Sequence, residues 1–190
     1  MVSGTVVADP PGGGRSQRFA PGRWSSALLI VPILLYLADK NERFIPQDLR
    51  GRNAVLQWLF WQMGGLGPMA GQNHHFSQYA PENIPYAIDR YVKETARLYA
   101  VLNKQLADGR EFISGDYSIA DMACYPWVVP HEKQGQKLAD FAHLARWFER
   151  VQRRPATELA YARAKEINSA PVMDDAAKRV LFGQDAASVR

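Results

Sequence analysis

The feature that most constrains the fold is a long stretch in which apolar residues recur every three or four positions. The recurring residues are Ile84, Ile88, Tyr91, Val92, Thr95, Leu98, Tyr99, Leu102 and Leu106. This period predicts an amphipathic α-helix, and Gly109 is a suitable residue to end it. No segment of useful length shows the two-residue alternation of a strand, and the sequence contains no internal repeat. The pattern therefore predicts an all-α helical bundle with short connections.

Further helices are predicted on both sides of this one. The predicted segments are 26–39, a helix from about 50 to a glycine cluster at 64–68, a helix after Ser118, 141–151, 155–167 and a short helix near 175–181. Pro32 is expected to kink or delay the first helix, because proline lacks a backbone donor. The glycine cluster is expected to bend or interrupt the second helix.

Composition and charge indicate a globular protein without a nucleic-acid surface. The chain has 190 residues, of which 47% are hydrophobic and 22% charged, and its net charge is +4. Basic and acidic residues are mixed along the chain, which indicates a solvated surface rather than a nucleic-acid interface. The apolar run 27–38 is shorter than the ~20 residues that span a bilayer, so we expect no membrane segment. The single cysteine, Cys124, excludes an internal disulfide and favours a reducing, cytoplasmic location.

Ser118 and Asp121 have the spacing of a helix capping box. A serine followed three residues later by an acid, just before an apolar run, is typical of a helix start. The two residues also resemble parts of a catalytic triad, but capping accounts for both without any chemistry. They are therefore predicted to be structural.

The remaining candidates for chemistry are weak on sequence grounds. His74 and His75 are adjacent, so on a helix they point in different directions, whereas helical metal ligands prefer a spacing of four. Cys124 lies in an apolar segment with no cationic neighbour, which favours an inert core residue over a nucleophile. The cluster at 64–68 lacks the Lys-Ser or Lys-Thr of a phosphate loop. The residues alone thus predict no catalytic residue and no metal site.

Two segments resemble a known superfamily. The first, 56–76, reads LQWLFWQMGGLGPMAGQNHHF, and the second, 115–123, reads GDYSIADMA. Together with ILLYLADK at 33–40 and RPAT at 154–157, they are similar to glutathione transferases, and more narrowly to the bacterial nu-class branch of glutathione-dependent disulfide-bond oxidoreductases. The Ser-Ile-Ala-Asp box marks the superfamily, whereas the longer segment is specific to the branch.

The resemblance implies a division of the chain into four parts. Residues 1–26 are expected to be a disordered or irregular leader, and 27–40 the last helix of a thioredoxin-like domain that is otherwise largely missing. Residues 41–168 are expected to form the glutathione transferase C-terminal helical bundle, and 169–190 a tail. In the family, the thioredoxin-like domain binds glutathione and carries the activating Thr, Asn or Ser, while the helical domain forms the wall for the second substrate.

The same resemblance gives a short set of candidate residues. Where the family has Glu-Ser-Gly-Ala to hold glutathione, this chain has Leu-Ile-Val-Pro at 29–32, which cannot make those hydrogen bonds. Arg97 matches an arginine that reaches glutathione bound to the dimer partner; the alternative is an exposed arginine paired with Glu94. Gln72, Asn73 and His74 match positions where the helix passes the cleft.

Two functions follow from these expectations. By resemblance, the protein is a glutathione-dependent disulfide-bond oxidoreductase or transferase that acts as a homodimer on a small electrophile or disulfide. Glutathione is its co-substrate and no metal is required. The chain alone is expected to be inactive because the glutathione-binding half is missing. The alternative is a truncated family member that serves as a non-enzymatic dimerisation or protein-interaction module.

Overall fold

The computed structural model describes residues 26–167, 175–183, 185 and 187. The described residues form eight α-helices and no β-strand, so the predicted all-α class is confirmed. The helices are α1 (Ser26–Asn41), α2 (Leu49–Trp61), α3 (Gly67–His74), α4 (Pro85–Gln105), α5 (Ile119–Val128), α6 (Ala142–Gln152), α7 (Pro155–Ile167) and α8 (Asp175–Phe182). Most of the predicted leader and part of the predicted tail lie outside the described residues.

The second predicted helix is longer and more continuous than the glycine cluster suggests. α2 passes into a π-helical segment, Gln62–Leu66, then into α3, and α3 passes into a second π-helical segment, His75–Tyr79. The glycines therefore widen the helix rather than break it. Gly67 is closely packed: a Cβ there would lie 2.6 Å from Gln62 Nε2 and 3.2 Å from Trp127 Cε2, so the Gln62 side chain would have to move.

α1 begins at Ser26 and runs through Pro32, so of the expected kink or delay, the delayed start does not occur. Pro32 has no amide to donate to the carbonyl of Leu28, and the helix accommodates this lost bond within its first turns. Arg52 of α2 donates two hydrogen bonds to Asp39 of α1, at 2.7 and 3.0 Å, and joins the two helices. No helix in the described residues is long and apolar enough to cross a membrane.

The core lies between α2, α4, α5 and α6. α4 buries the face that carries Thr95, Leu98, Tyr99 and Leu102, as its three- and four-residue period predicts. α5 is buried along nearly its whole length, including Cys124 and Tyr125. This central position makes α5 the wall against which the cavities of the molecule form.

Candidate functional site

A largely apolar cleft of about 420 Å³ lies between α3, the first π-helical segment and α5. It is lined by Ile30, Gln62, Met63, Gly67, Pro68, Gly71, Gln72, Met122, Ala123, Pro126 and Trp127. Its volume is that of a small-molecule site, and its walls are mostly apolar with two amide side chains. The two methionines are unbranched and flexible, so they can adapt to ligands of different shape.

The structure separates the three candidate residues that follow one another on α3. Gln72 lines the cleft, whereas His74 lines a second cavity that shares the wall formed by Gly71, Pro126 and Trp127. The helical turn of about 100° per residue explains why neighbours in the sequence face different spaces.

Asn73 points away from both cavities, which corrects its expected position beside the cleft. Its side chain is fully buried. Its Nδ2 donates to Thr95 Oγ1 at 2.9 Å and to the Gln134 carbonyl at 3.0 Å, and its Oδ1 accepts from the Ser77 hydroxyl at 3.0 Å. These contacts tie α3 to α4 and to the turn after α5, so the Asn73 side chain is occupied by contacts within the fold.

Ser118 and Asp121 form a capping box at the start of α5. Asp121 Oδ2 accepts from the Ser118 amide at 2.9 Å and from its hydroxyl at 3.1 Å. Oδ1 accepts from the Ile113 amide at 3.0 Å and from Trp147 Nε1 at 2.8 Å. Burial raises the pKa of Asp121, and the donated hydrogen bonds oppose that shift. All four carboxylate acceptor positions are occupied, so this aspartate is a structural centre rather than a base open to substrate.

Arg97 lies on the exposed face of α4 and is paired with Glu94. Its Nε and Nη2 donate to the Glu94 carboxylate at 2.9 and 2.7 Å. This hydrogen-bonded pair lowers the pKa of Glu94. The Arg97 side chain remains 61% exposed, so its guanidinium is held in position while one edge stays open to solvent.

Two further candidates can be judged from their surroundings. Cys124 is fully buried, and burial, followed by the nearby Asp121 charge, raises the pKa of its thiol. A buried neutral thiol is a poor nucleophile. Among the described residues, no group of three or more His, Cys, Asp or Glu side chains is placed to bind a metal ion.

The sequence reasoning missed the residues that form most of the cleft, notably Met63, Met122 and Trp127. Each lies in an apolar segment, and an apolar residue at helical spacing looks the same whether it faces the core or a cavity. Gly67 and Gly71, one helical turn apart, are a sequence signal of close packing. Only the fold shows that Trp127 lies against them.

Comparisons with known proteins agree on one family. The domain described as glutathione S-transferase, C-terminal domain, matches residues 70–155. Disulfide-bond oxidoreductase YfcG of Escherichia coli is 53% identical over 133 residues, which cover 70% of this chain and 62% of that protein. The chain thus spans less than two thirds of that curated relative.

Two solved structures extend the likeness to the fold. A glutathione transferase from Burkholderia graminis, with two glutathione molecules bound per subunit, is 39% identical with a TM-score of 0.64; the match covers 74% of this chain and 60% of that one. A glutathione transferase from Phanerochaete chrysosporium, in complex with oxidized glutathione, is 31% identical with a TM-score of 0.66, and the match covers 76% and 68%.

Proposed function

The chain belongs to the glutathione transferase family, and from that premise we propose that its helices supply the second-substrate wall of a glutathione-dependent disulfide-bond oxidoreductase or transferase. The observation that carries this proposal is the apolar cleft beside α5. Its methionine, proline and tryptophan walls suit the apolar group of an electrophile or of a disulfide, and its two glutamines offer hydrogen bonds that orient such a group.

The proposed reaction needs no cysteine from the protein. A glutathione thiolate attacks one sulfur of the substrate disulfide, a mixed disulfide forms, and the other substrate sulfur leaves as a thiolate. A second glutathione thiolate then displaces the remaining substrate sulfur, which gives glutathione disulfide. The burial of Cys124, the single cysteine of the chain, is consistent with a route in which glutathione supplies every reacting thiol.

Arg97 is the residue that we expect to contact glutathione bound to the partner of a homodimer. Its pairing with Glu94 orients the guanidinium, and its exposed edge can donate to a carboxylate. Arg90 provides a matched control, since it is also exposed and lies 3.8 Å from the same Glu94 carboxylate. Arg97→Ala should weaken glutathione binding to the dimer, whereas Arg90→Ala should leave it unchanged. Equal effects of the two substitutions would contradict this role.

The proposal for the cleft is tested by titrating the 190-residue chain with S-hexylglutathione and following the methionine methyl signals by NMR. The hexyl group should shift the Met63 and Met122 methyls, and Met63→Gln should weaken binding by about fivefold through lost apolar contact. Phe60→Gln is the control, because Phe60 is exposed and does not line the cleft. Unshifted methyls at saturation would contradict the assignment.

Glutathione and glutathione disulfide, titrated alongside and combined with a small-disulfide reduction assay, address the other half of the site. We propose that the described helices alone do not reduce disulfides, because 29–32 lack the side chains that the family uses to hold glutathione. Turnover by the 190-residue chain would contradict this part of the proposal and leave the cleft assignment intact. We place the active protein in the cytoplasm, where glutathione is reduced.

A non-enzymatic interaction module is the second candidate, and one observation favours it. α1 exposes Ile33, Tyr36 and Leu37, each by 45% or more of its surface. Clustered apolar side chains of this kind mark a contact surface. Sedimentation of the wild-type chain and of Tyr36→Glu tests this surface: self-association that Tyr36→Glu abolishes, without any effect on S-hexylglutathione binding, supports an interface at α1.

A further inference from the structure

A second cavity of about 320 Å³ lies behind the wall that it shares with the cleft. It is lined by Gly71, His74, His75, Tyr79, Pro126, Trp127, Pro130, Gln134 and Phe182. Met63, Gln72 and Met122, which line the cleft, do not contribute to it. The two spaces are therefore separate, and nothing in the proposed function requires the second one.

Two polar atoms in the wall of this cavity lack hydrogen-bond partners among the described residues. They are His74 Nδ1 and Gln134 Nε2. Gln134 is buried, with only 1% of its surface exposed. A buried polar group without a partner costs free energy, and two of them in one cavity indicate a place that a polar ligand can fill.

The hydroxyl of Tyr99 defines what the Gln134 amide can offer. Tyr99 Oη lies 3.3 Å from the Trp127 carbonyl and 3.2 Å from Gln134 Oε1. Burial raises the pKa of Tyr99, so its hydroxyl keeps one proton and can donate to only one of these two acceptors. Rotating the amide by 180° lets Nε2 donate to Tyr99 and leaves Oε1 unpaired instead. In either orientation, one polar atom of Gln134 is left for a ligand.

His74 has the same two-way character. Burial, followed by the Lys133 charge, lowers the pKa of His74, so its imidazole is neutral near pH 7. In a neutral imidazole, Nδ1 either donates or accepts, depending on the tautomer. No lysine or arginine side chain lines this space, so a neutral ligand avoids the cost of burying a charge there. A hydroxyl group is both donor and acceptor, so it can bond to His74 and Gln134 together in every combination except the one in which both present only lone pairs, and the His74 tautomer with its proton on Nδ1 avoids that case.

The other walls of the cavity are aromatic. Phe182 of α8 packs against His75, with ring centroids 4.7 Å apart, and against Tyr79 at 5.5 Å. Trp127 lies on the side shared with the cleft. These rings already contact one another, and their remaining faces and edges offer surface for a further ring beside them. The space thus combines surfaces for a ring with polar atoms for a hydroxyl.

We propose that this second cavity binds a small phenol, with its ring against Trp127, Tyr79 and Phe182 and its hydroxyl bonded to Gln134 and His74. Binding of this ligand needs no glutathione. The site therefore goes beyond the proposed function, and the two proposals can be tested independently.

The test uses p-cresol and p-xylene, which differ only by a hydroxyl in place of a methyl group. Each is titrated into the 190-residue chain and followed by backbone-amide and methionine-methyl NMR. We expect p-cresol to bind about tenfold more tightly than p-xylene, the effect of about one well-made hydrogen bond. The shifts should centre on the amides of Tyr79 and Phe182 rather than on the methyls of Met63 and Met122.

Substitutions then assign the preference to the polar atoms. In Gln134→Leu the preference should fall well below tenfold, whereas Gln72→Leu, altered in the neighbouring cleft, should keep the tenfold preference. His74→Leu gives the same readout as Gln134→Leu without touching the Tyr99 contact, should the Gln134 variant fail to fold. Equal affinities in the wild-type chain, shifts centred on Met63 and Met122, or a preference that survives both substitutions would overturn the proposal.

Discussion

Buried polar groups lie near both ends of α5, and they differ in whether their hydrogen bonds are satisfied. At the N-terminal end, Asp121 accepts four hydrogen bonds and has no acceptor position left. Beyond the C-terminal end, Gln134 and His74 each keep a buried polar atom without a partner among the described residues. A saturated network holds a fold together, whereas an unsaturated one leaves hydrogen-bonding capacity for a ligand. The contrast holds between these groups and not between whole ends of the domain, since Ser114 Oγ, near the N-terminal end, also lacks a partner among the described residues.

Removing the centre of the saturated network should produce the largest effect. Asp121→Ala leaves the Ile113 and Ser118 amides and the Trp147 indole without an acceptor, so we expect a loss of about 4 kcal/mol in the free energy of unfolding. Asp116→Ala, in the adjacent exposed loop, should change it by less than about 0.5 kcal/mol. Urea denaturation measures both. Comparable losses for the two variants would show that the hydrogen bonds of Asp121 stabilise the fold no more than an exposed aspartate does.

The saturated network is also the part of the molecule that the sequence predicts best. A capping box depends on residues three apart, so Ser118 and Asp121 reveal it without knowledge of the fold. The long period of α4 is equally local, and it predicts the buried face of that helix. The bonds from Ile113 and Trp147 to the same carboxylate join separate elements, and no local pattern indicates them.

Asn73 tests whether a saturated amide near the cavity behaves like Asp121. Asn73→Ala removes three hydrogen bonds, two of them buried, and we expect a loss of about 2 kcal/mol in the free energy of unfolding. Gln72→Ala, at the next position along the helix, alters an exposed side chain and should cost less than about 0.5 kcal/mol. The measurement is again urea denaturation, and equal costs would mean that the buried contacts of Asn73 contribute little.

The position of Asn73 shows where sequence reasoning reached its limit. Resemblance placed three consecutive residues along one cleft, but a helix turns each of them toward a different neighbour. The orientation of Asn73 depends on its contacts with Thr95, Ser77 and the Gln134 carbonyl. Gln134 lies 61 positions from Asn73 in the chain. The unpaired atoms of the second cavity likewise result from tertiary packing, and no sequence pattern predicts them.

Gln134 should respond differently from its neighbour Gln136, although both are buried. Gln136 Nε2 donates to the carbonyls of Val92 and Gln134, at 3.0 and 3.1 Å, so Gln136→Leu should cost about 1.5 kcal/mol. Gln134→Leu loses the Tyr99 contact but also removes an unpaired amide group, and the two effects should cancel to within about 1 kcal/mol. A larger loss for Gln134→Leu than for Gln136→Leu would show that the second cavity is not under-satisfied.

The smallest expected effect is a dependence of stability on pH through His74. Burial lowers its folded-state pKa below the ordinary value of 6.5, so the unfolded chain binds the proton more readily. The contribution of His74 is therefore fully present above pH 6.5 and is lost as pH falls through the folded-state pKa. His74→Leu removes this titration, so the stability difference between wild type and variant should shift against the wild type on acidification. A difference that is constant from pH 8 to pH 5 would contradict a desolvated imidazole at this position. Since p-cresol bonded to His74 excludes water further, saturating p-cresol should steepen the wild-type dependence and leave that of the variant unchanged.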